Sequence, residues 1–420
     1  MDDADAPDGA AVRLSDVLGD PAGSLRHMEE YVNDGSPSGF SAINQPTPAF
    51  RPGSGAGPFP LHACVADAPA SASDYLDVPP LPGLAGSNWL YIHPDVRHHP
   101  DLQGAGLCVR PLDAPLVRPT SSGRTVQMVG APGWYLKLSY PALLGRVDRA
   151  MPRAKAVAGP EMSREIADSV RAGRLPAALH ILPEVGARVI TAPGGRSWGQ
   201  VIRARRPFGR REERIHAMVP VFSLFSTDRR NPDHASLLGE LIDHWGRDAE
   251  LHVVQGLLEP LVECYFALVR CLGLQAEFNA QNVLLGLDPN GVPSGFVLRD
   301  LMGAEKDLTI RGQLGLGTDF ESAPFKCISR QTDARIYEIR HSLAYDFKLG
   351  DYVLAPLISE AAARGGSPIG ELTAHVRGAA RSQMAALPGD YFPSGCWYRH
   401  PKVVQDHERS FERVAHPRFR

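Results

Sequence analysis

The sequence predicts an α+β protein with antiparallel sheets and a helical C-terminal part. Short strand candidates separated by Gly and Pro occupy residues 88–201. Apolar residues recur at three-to-four spacing through residues 235–274, and residues 335–385 are also predicted to be mainly helical. The 420 residues, of which 43% are hydrophobic and 22% charged, suffice for two or three packed subdomains that share a cleft.

Three regions follow from this pattern. Residues 1–86 form a shortened, loop-rich N-terminal segment with one helix candidate at about 24–32. Residues 87–230 form a β-rich subdomain that contains "NWLYIHP", "TVQMVG", "GWYLKLSY", "RVIT" and a helix at about 160–172. Residues 231–420 form a helical subdomain, in which Pro260 is expected to kink or break the helix.

Charge and composition exclude several classes of protein. The formal net charge of -3 provides no field that would gather nucleic acid or an anionic membrane. The first thirty residues lack the basic start and apolar core of a secretory signal, and no apolar run reaches membrane-spanning length. The six cysteines lack zinc or iron-sulfur spacing. We therefore expect a cytoplasmic protein with reduced thiols and small-molecule substrates; a homodimer stays open.

The first segment that carries chemistry is "RPTSSGRTVQMVGAPGWYLKLSYPALLGRVDRAM". It sets Ser121, Ser122, Arg124 and Thr125 in a glycine-containing turn, then Lys137 on a strand and Arg149 after it. Hydroxyls, backbone amides and three fixed cations suit a polyphosphate. Taken alone, the same residues also fit an ordinary turn with solvated charges.

The second segment is "AEFNAQNVLLGLDPNGVPSGFVLRDLMG", which predicts a helix leading into a hairpin. The helix would deliver Glu277, Asn279, Gln281 and Asn282 to the start of a strand. If the turn is centred between residues 289 and 290, Asn279 faces Asp300 and shares one sheet face with it and Gln281. An acid and carboxamides at the open end of a hairpin can bind magnesium and orient phosphates. A polar helix-to-strand connection without function is the alternative.

Together the two segments resemble the NRPS-independent siderophore synthetases, the IucA/IucC family. That family carries a Ser-x-Arg-Thr turn, a "K-L-S" strand, a later Arg, and an E-x-H-x-Q-N motif followed by R-D-x-x-G. The resemblance extends over roughly residues 88–350 through "IHPDV", "AGPEMS", "ILPEVGARVI" and "VPVFSLFS". It implies an open-hand fold, with fingers, palm and thumb-like parts, and an ATP site in the palm.

The resemblance also assigns roles to individual residues. The nucleotide would be bound by the residues Ser122, Arg124, Thr125, Lys137, Arg149, Asn279, Gln281, Asn282 and Asp300. Three of these, Lys137, Arg149 and Arg124, would supply cations for catalysis, and a magnesium ion would be held by Glu277, Asn282 and Asp300. His93, in the His-Pro strand that the family has near its substrate cleft, would contact the substrate, and a surface or structural role is the alternative.

The implied reaction is ATP-dependent adenylation of a carboxylic acid, citrate-like or another polar acid, followed by condensation with an amine or hydroxyl. A carboxylate is a poor electrophile, so ATP must first activate it. Two departures bear on this assignment. Asn279 stands where the family has histidine, and the N-terminal region that helps to shape the acid pocket is shorter.

Three other functions remain as alternatives. A kinase-like phosphotransferase is suggested because Glu277 precedes Asn282 by five positions and "DLMG" follows the hairpin, but no glycine-rich loop with its lysine is evident. Asn279 also allows a non-catalytic nucleotide-binding protein. A ferric-siderophore reductase of the FhuF type would need clustered cysteines, which the sequence lacks.

Overall fold

We describe the fold from a computed structural model. It describes residues 12–32, 46–52, 57–65, 68–72, 89–104, 108–144, 147–191, 197–228, 230–231, 233–323, 325–387, 396–399, 411–414 and 417–420. The strands are β1 Phe59–Val65, β2 Ala68–Ala72, β3 Trp89–Ile92, β4 Arg110–Pro119, β5 Thr125–Met128, β6 Trp134–Leu138, β7 Tyr140–Leu144, β8 Val147–Arg149, β9 Leu179–Ile181, β10 Glu184–Thr191, β11 Ser197–Ala204, β12 Ala217–Pro220, β13 Leu274–Gln275, β14 Val283–Leu287, β15 Pro293–Leu298, β16 Glu305–Asp307, β17 Cys327–Ile328, β18 Cys396–Arg399 and β19 Phe411–Val414.

Most of the helices lie in the C-terminal half. The helices are α1 Leu14–Gly19, α2 Pro21–Tyr31, α3 Pro100–Gly104, α4 Arg153–Arg171, α5 Leu237–Trp245, α6 Ala249–Leu251, α7 Glu259–Leu272, α8 Leu308–Gln313, α9 Ala334–Ser342, α10 Ala355–Gly365 and α11 Ile369–Ala385. Two π-helical segments, His252–Leu258 and Leu343–Leu354, join neighbouring helices. The predicted α+β class, with a helical C-terminal part, is confirmed.

The main sheet has eight strands in the order β2-β10-β11-β6-β5-β4-β1-β3, and all of its pairings are antiparallel. A second sheet, β12-β14-β15-β9, contains the predicted hairpin and one parallel pairing, between β9 and β15. The antiparallel sheets predicted from the short strand candidates are therefore confirmed.

The N-terminal segment contributes more structure than its composition suggests. β1 lies between β3 and β4 in the main sheet. Its alternate residues Phe59, Leu61 and Ala63 are buried, which is the period expected for a strand with one face on the core. This strand was not predicted, because the Pro- and Gly-rich flanks obscured the alternation. Most of those flanks lie outside the described residues.

The apolar helical region is the centre of the largest core. Residues Leu237–Leu272 are long and apolar enough to span a membrane, but 67% of the relevant window is buried inside the protein. Tyr265 and Phe266 are fully buried there and contact Tyr345. Before Pro260 the helix widens into a π-helical segment, which is the predicted local break in regular helix.

Candidate nucleotide site

The turn between β4 and β5 is closed by its own polar groups. The backbone N–H of Thr120 donates to the carbonyl of Thr125 at 3.0 Å, and the Ser122 hydroxyl accepts from the Thr125 N–H at 2.9 Å. Gly123 has φ +68°, a conformation that glycine adopts without strain. The Arg124 side chain is buried and donates to the carbonyl of Arg149 at 2.7 Å. The turn therefore forms a fixed platform beside the sheet.

One face of the main sheet continues this platform. Lys137 on β6 pairs with Thr125 on β5, and Tyr135 on the same strand pairs with Arg203 on β11. Paired residues share a sheet face, as do residues two apart on one strand. These four side chains therefore project on the same side, and all four are buried.

A group of buried ion pairs connects this face to the hairpin. Lys137 donates to a carboxylate oxygen of Asp300, and Arg203 lies 3.5 Å from that oxygen. Arg203 also pairs with Glu184 at 2.6 Å. Burial lowers the pKa of Lys137 to about 7, with Arg124 lowering it further and Asp300 opposing the shift. Burial would raise the pKa of Asp300, but Lys137 and Arg203 hold it well below its usual range.

The second segment differs locally from the prediction. α7 ends at Leu272 and a two-residue strand follows, so residues 277–282 lie in turns rather than at the end of a helix. The Asn279 side-chain oxygen accepts from the backbone N–H groups of Gln281 and Asn282, at 3.1 and 2.9 Å. Such a turn is a common use of asparagine. Asn279 therefore shapes the chain that presents its two neighbours.

The predicted hairpin register was wrong by two residues. Val283 pairs with Leu298, so the strand begins after the polar segment and Asn279 does not face Asp300. Asp288 explains the shift, because its carboxylate accepts from the backbone N–H groups of Asn290 and Val292 and enlarges the turn. A bulge between Gly286 and Leu287 also shifts the pairing of β14 with β15.

The turn and the second segment nevertheless meet, with α2 joining them. The Gln281 side-chain amide donates to the Ser121 hydroxyl at 3.2 Å. Glu29, on α2, accepts from the backbone N–H and hydroxyl of Ser121 at 3.1 and 2.8 Å, and from Arg299 at 2.5 Å. Arg299 also donates to the carbonyl of Gln281 at 2.8 Å. Four hydrogen-bonding residues thus fix the junction.

A pocket that is open to solvent lies at this junction. Five of the predicted site residues line it: Ser122, Thr125, Gln281, Asn282 and Asp300. Ser121, a member of the predicted turn, also lines it, and four further lining residues were missed from the sequence: Thr120, Tyr135, Arg203 and Arg299. Tyr135 lies two residues before the predicted Lys137 and Arg299 immediately before Asp300, so strand alternation and adjacency could have identified both. Arg203, from a distant strand, had no such signal.

The predicted cations Lys137, Arg124 and Arg149 do not themselves line the pocket. Arg149 donates to the carbonyl of Leu144 at 3.4 Å, and both Asp300 and Glu277 act to raise its pKa against the effect of burial. Lys155, which the sequence reasoning missed, has its pKa lowered to about 8 by burial and by the neighbouring Arg124 and Arg149. The electrostatic environment here is strongly cationic.

Glu277 has a different environment from the predicted metal site. Its Oε1 atom accepts from Lys326 at 2.9 Å and from Lys348 at 2.8 Å. Burial alone would raise its pKa, but the two lysines lower it to about 2. Glu277 does not line the pocket that contains Asn282 and Asp300. Among the described residues, no three Asp, Glu, His or Cys side chains form a group that could hold a metal ion.

His93 is placed away from the pocket lining. Its side chain is fully buried, and its ring makes edge contacts with Phe50, Phe59 and Tyr140. Burial lowers its pKa to about 4, with Asp95 opposing the shift. His93 therefore contributes a neutral, packed ring, and a substrate contact would require the surrounding aromatic residues to move.

Residues 92–226 match the model of the IucA / IucC family. The ATP-bound structure of aerobactin synthetase IucA from hypervirulent Klebsiella pneumoniae is 16% identical, with a TM-score of 0.64, over 87% of this chain and 70% of that one. Petrobactin biosynthesis protein AsbB from Bacillus anthracis str. Sterne is 14% identical, with a TM-score of 0.64, over 86% and 68%. Aerobactin synthetase IucC from K. pneumoniae is 18% identical, with a TM-score of 0.62, over 80% and 64%. No curated protein is similar enough in sequence to be matched.

Proposed function

We propose that this chain, which matches the IucA / IucC family model over residues 92–226, is an ATP-dependent ligase that adenylates a carboxylic acid and condenses it with an amine or hydroxyl. These structural relatives support a role in siderophore biosynthesis, because they are named as aerobactin synthetases and as a petrobactin biosynthesis protein. ATP use is supported by the ATP-bound structure of one of them.

The observation that carries the proposal is the meeting of the two segments at one pocket. The turn that contains Ser122 and the segment that contains Asn282 are about 160 positions apart, yet both line the same pocket with Asp300. Hydroxyls, an amide and buried cations on a rigid sheet are suited to binding a triphosphate without reorganisation.

The proposed chemistry needs little beyond orientation and charge. A carboxylate oxygen of the acid attacks the α-phosphorus of ATP, the bond to the β,γ-pyrophosphate breaks, and an acyl-adenylate forms. An amine or hydroxyl then attacks the acyl carbon, loses its proton, and releases AMP. Lys137, Arg124 and Arg149 would stabilise the negative charge on the phosphates during the first step.

Magnesium belongs to this proposal because oxygen donors face the pocket. Asp300 and Asn282 provide a carboxylate and an amide oxygen, and magnesium commonly takes one or two such groups together with substrate phosphates. Bound there, the ion would neutralise phosphate charge. The negative charge of Asp300 is already balanced by Lys137 and Arg203. Asp300 would therefore supply one ligand to the magnesium ion, and the protein would not supply a complete set.

The test is the identity of the nucleotide product. Purified protein is incubated with ATP, magnesium, a panel of polar carboxylic acids that includes citrate, and a panel of amines. The proposal predicts acid-dependent release of AMP and pyrophosphate, with a condensed product detected by mass spectrometry. Release of ADP with a phosphorylated acceptor would instead establish the phosphotransferase, and binding without turnover a non-catalytic protein.

A further inference from the structure

Lys326 and Lys348 converge on a single carboxylate outside the nucleotide pocket. Both donate to the Oε1 atom of Glu277, and Lys326 also donates to the carbonyl of Gly303 at 2.9 Å. The side chains of Lys326, Lys348 and Glu277 are 26%, 28% and 22% exposed. The two ammonium groups are therefore held in place while their side chains still reach solvent.

The backbone around this group is unusual in three ways. Lys326 has φ +52°, a left-handed conformation that is uncommon for a residue other than glycine. Gly303 leaves room for Glu277, because a Cβ atom there would lie 2.7 Å from the glutamate Oε2. Lys348 lies in the π-helical segment Leu343–Leu354. Strained residues and π-helical segments occur frequently at functional sites.

The group has a surplus of positive charge. Because Glu277 has its pKa lowered to about 2 and Lys326 has its pKa raised by Glu277 against the effect of burial, these two remain ionised near neutral pH. Two ammonium groups share this single carboxylate, which leaves one net positive charge. The three residues also interact with neighbouring cations. Glu277 acts to raise the pKa of Arg149, and Lys326 acts to lower the pKa of Lys155. An anion near the lysines would compensate this surplus.

We propose that Lys326 and Lys348 form a subsite for a carboxylate of the acid substrate, and that Glu277 positions these lysines instead of binding metal. The identity of the anion rests on the proposed function. A metal ion at Glu277 would have to displace or approach two ammonium groups, which like-charge repulsion opposes. Neither lysine lines the proposed nucleotide pocket, and both donate to Glu277, whereas Lys137 donates to Asp300 in the lining of that pocket. The remaining anionic reactant is the acid.

The experiment measures citrate binding by calorimetry to the full chain, in the presence of magnesium and a non-hydrolysable ATP analogue. Lys348→Gln and Lys326→Gln should each weaken citrate binding by about tenfold to a hundredfold, the loss expected for one charged contact. Lys348→Arg should retain most of the affinity. ATP-analogue affinity should stay within about twofold. Arg171→Gln, which removes an exposed cation at the far end of α4, is the matched control.

Glu277→Gln separates positioning from metal binding. It should weaken citrate binding while the magnesium concentration that half-saturates ATP-analogue binding stays the same. A shift of that concentration would make Glu277 a metal ligand and overturn the proposal. So would lysine variants that lose ATP-analogue affinity but keep citrate affinity, or a wild-type chain that does not bind citrate. The AMP assay with the full acid panel tests the proposed ligase activity separately.

Discussion

At the scale of single residues, Lys137 and Arg149 are the cations from which the proposed activity can be tested most simply. A hydrogen bond to a charged group contributes about 1.5–3 kcal/mol, so Lys137→Ala or Arg149→Ala should reduce kcat/KM about tenfold to a hundredfold. Arg203 continues to compensate Asp300 in the lysine variant, so the fold should persist. Near wild-type kinetics in both variants, with unchanged thermal unfolding, would remove these residues from the site.

The pKa of Lys137 also predicts a pH dependence. Burial lowers this pKa to about 7, so the side chain is cationic below that pH and increasingly neutral above it. The charged form of Lys137 attracts the triphosphate and the neutral form does not. The affinity for an ATP analogue should therefore fall as the pH rises from 6 to 8. Lys137→Arg keeps its charge throughout and should abolish this fall. If the wild-type protein and Lys137→Arg show the same fall in affinity with pH, a group other than Lys137 causes it.

Asp300 has two roles that one substitution can separate. It compensates Lys137 and Arg203 in this structure, and we propose that it also contacts magnesium. Asp300→Asn preserves size but removes charge, so it should weaken magnesium-dependent binding of an ATP analogue far more than metal-free binding. Titration of the analogue with and without magnesium measures this difference. An unchanged magnesium dependence would leave Asp300 as an ion-pair residue only.

At the scale of elements, the packing of α4 on β10 holds the Glu184 carboxylate beside Arg203, a residue that lines the pocket. A Cβ atom at Gly159 would collide with the carboxylate of Glu184, which holds Arg203 and accepts from the Met302 backbone N–H at 3.2 Å. Gly159→Ala should therefore lower both the thermal midpoint and ATP-analogue affinity, because the collision disturbs a buried ion pair.

Gly378→Ala provides the matched control for that prediction. Gly378 lies within α11 and has nothing within 4 Å of an added Cβ atom, so alanine should stabilise the helix by about 0.5–1 kcal/mol without affecting nucleotide affinity. If Gly159→Ala behaves like this control, the ion pair between Glu184 and Arg203 does not require the close approach of α4 to β10.

The same scale shows why sequence reasoning identified elements better than their ends. Helical periodicity correctly indicated the region around α7, and β-strand patterns indicated β5 and β6. The hairpin was recognised but its register was not, because Asp288 enlarges the turn through side-chain hydrogen bonds that no strand pattern encodes. Helix α4 begins at Arg153, earlier than predicted, and continues through Pro160.

At the scale of the whole molecule, the pocket depends on regions that are distant in sequence. The two motif segments could be assigned to one site by their family resemblance. The contributions of Glu29 and Arg203 could not, because they arise from the packing of α2 and β11 against those segments. Glu277 likewise matched the motif, but only the fold showed that two lysines bind its carboxylate.

The most direct test of adenylation follows an oxygen atom from the acid to the nucleotide. A carboxylic acid that supports turnover is labelled with ¹⁸O in its carboxylate and incubated with ATP, magnesium and an amine. If the carboxylate attacks the α-phosphorus and the amine then displaces AMP, one labelled oxygen must appear in the AMP. Label in inorganic phosphate, accompanied by ADP, would show attack at the γ-phosphorus and contradict the proposed reaction.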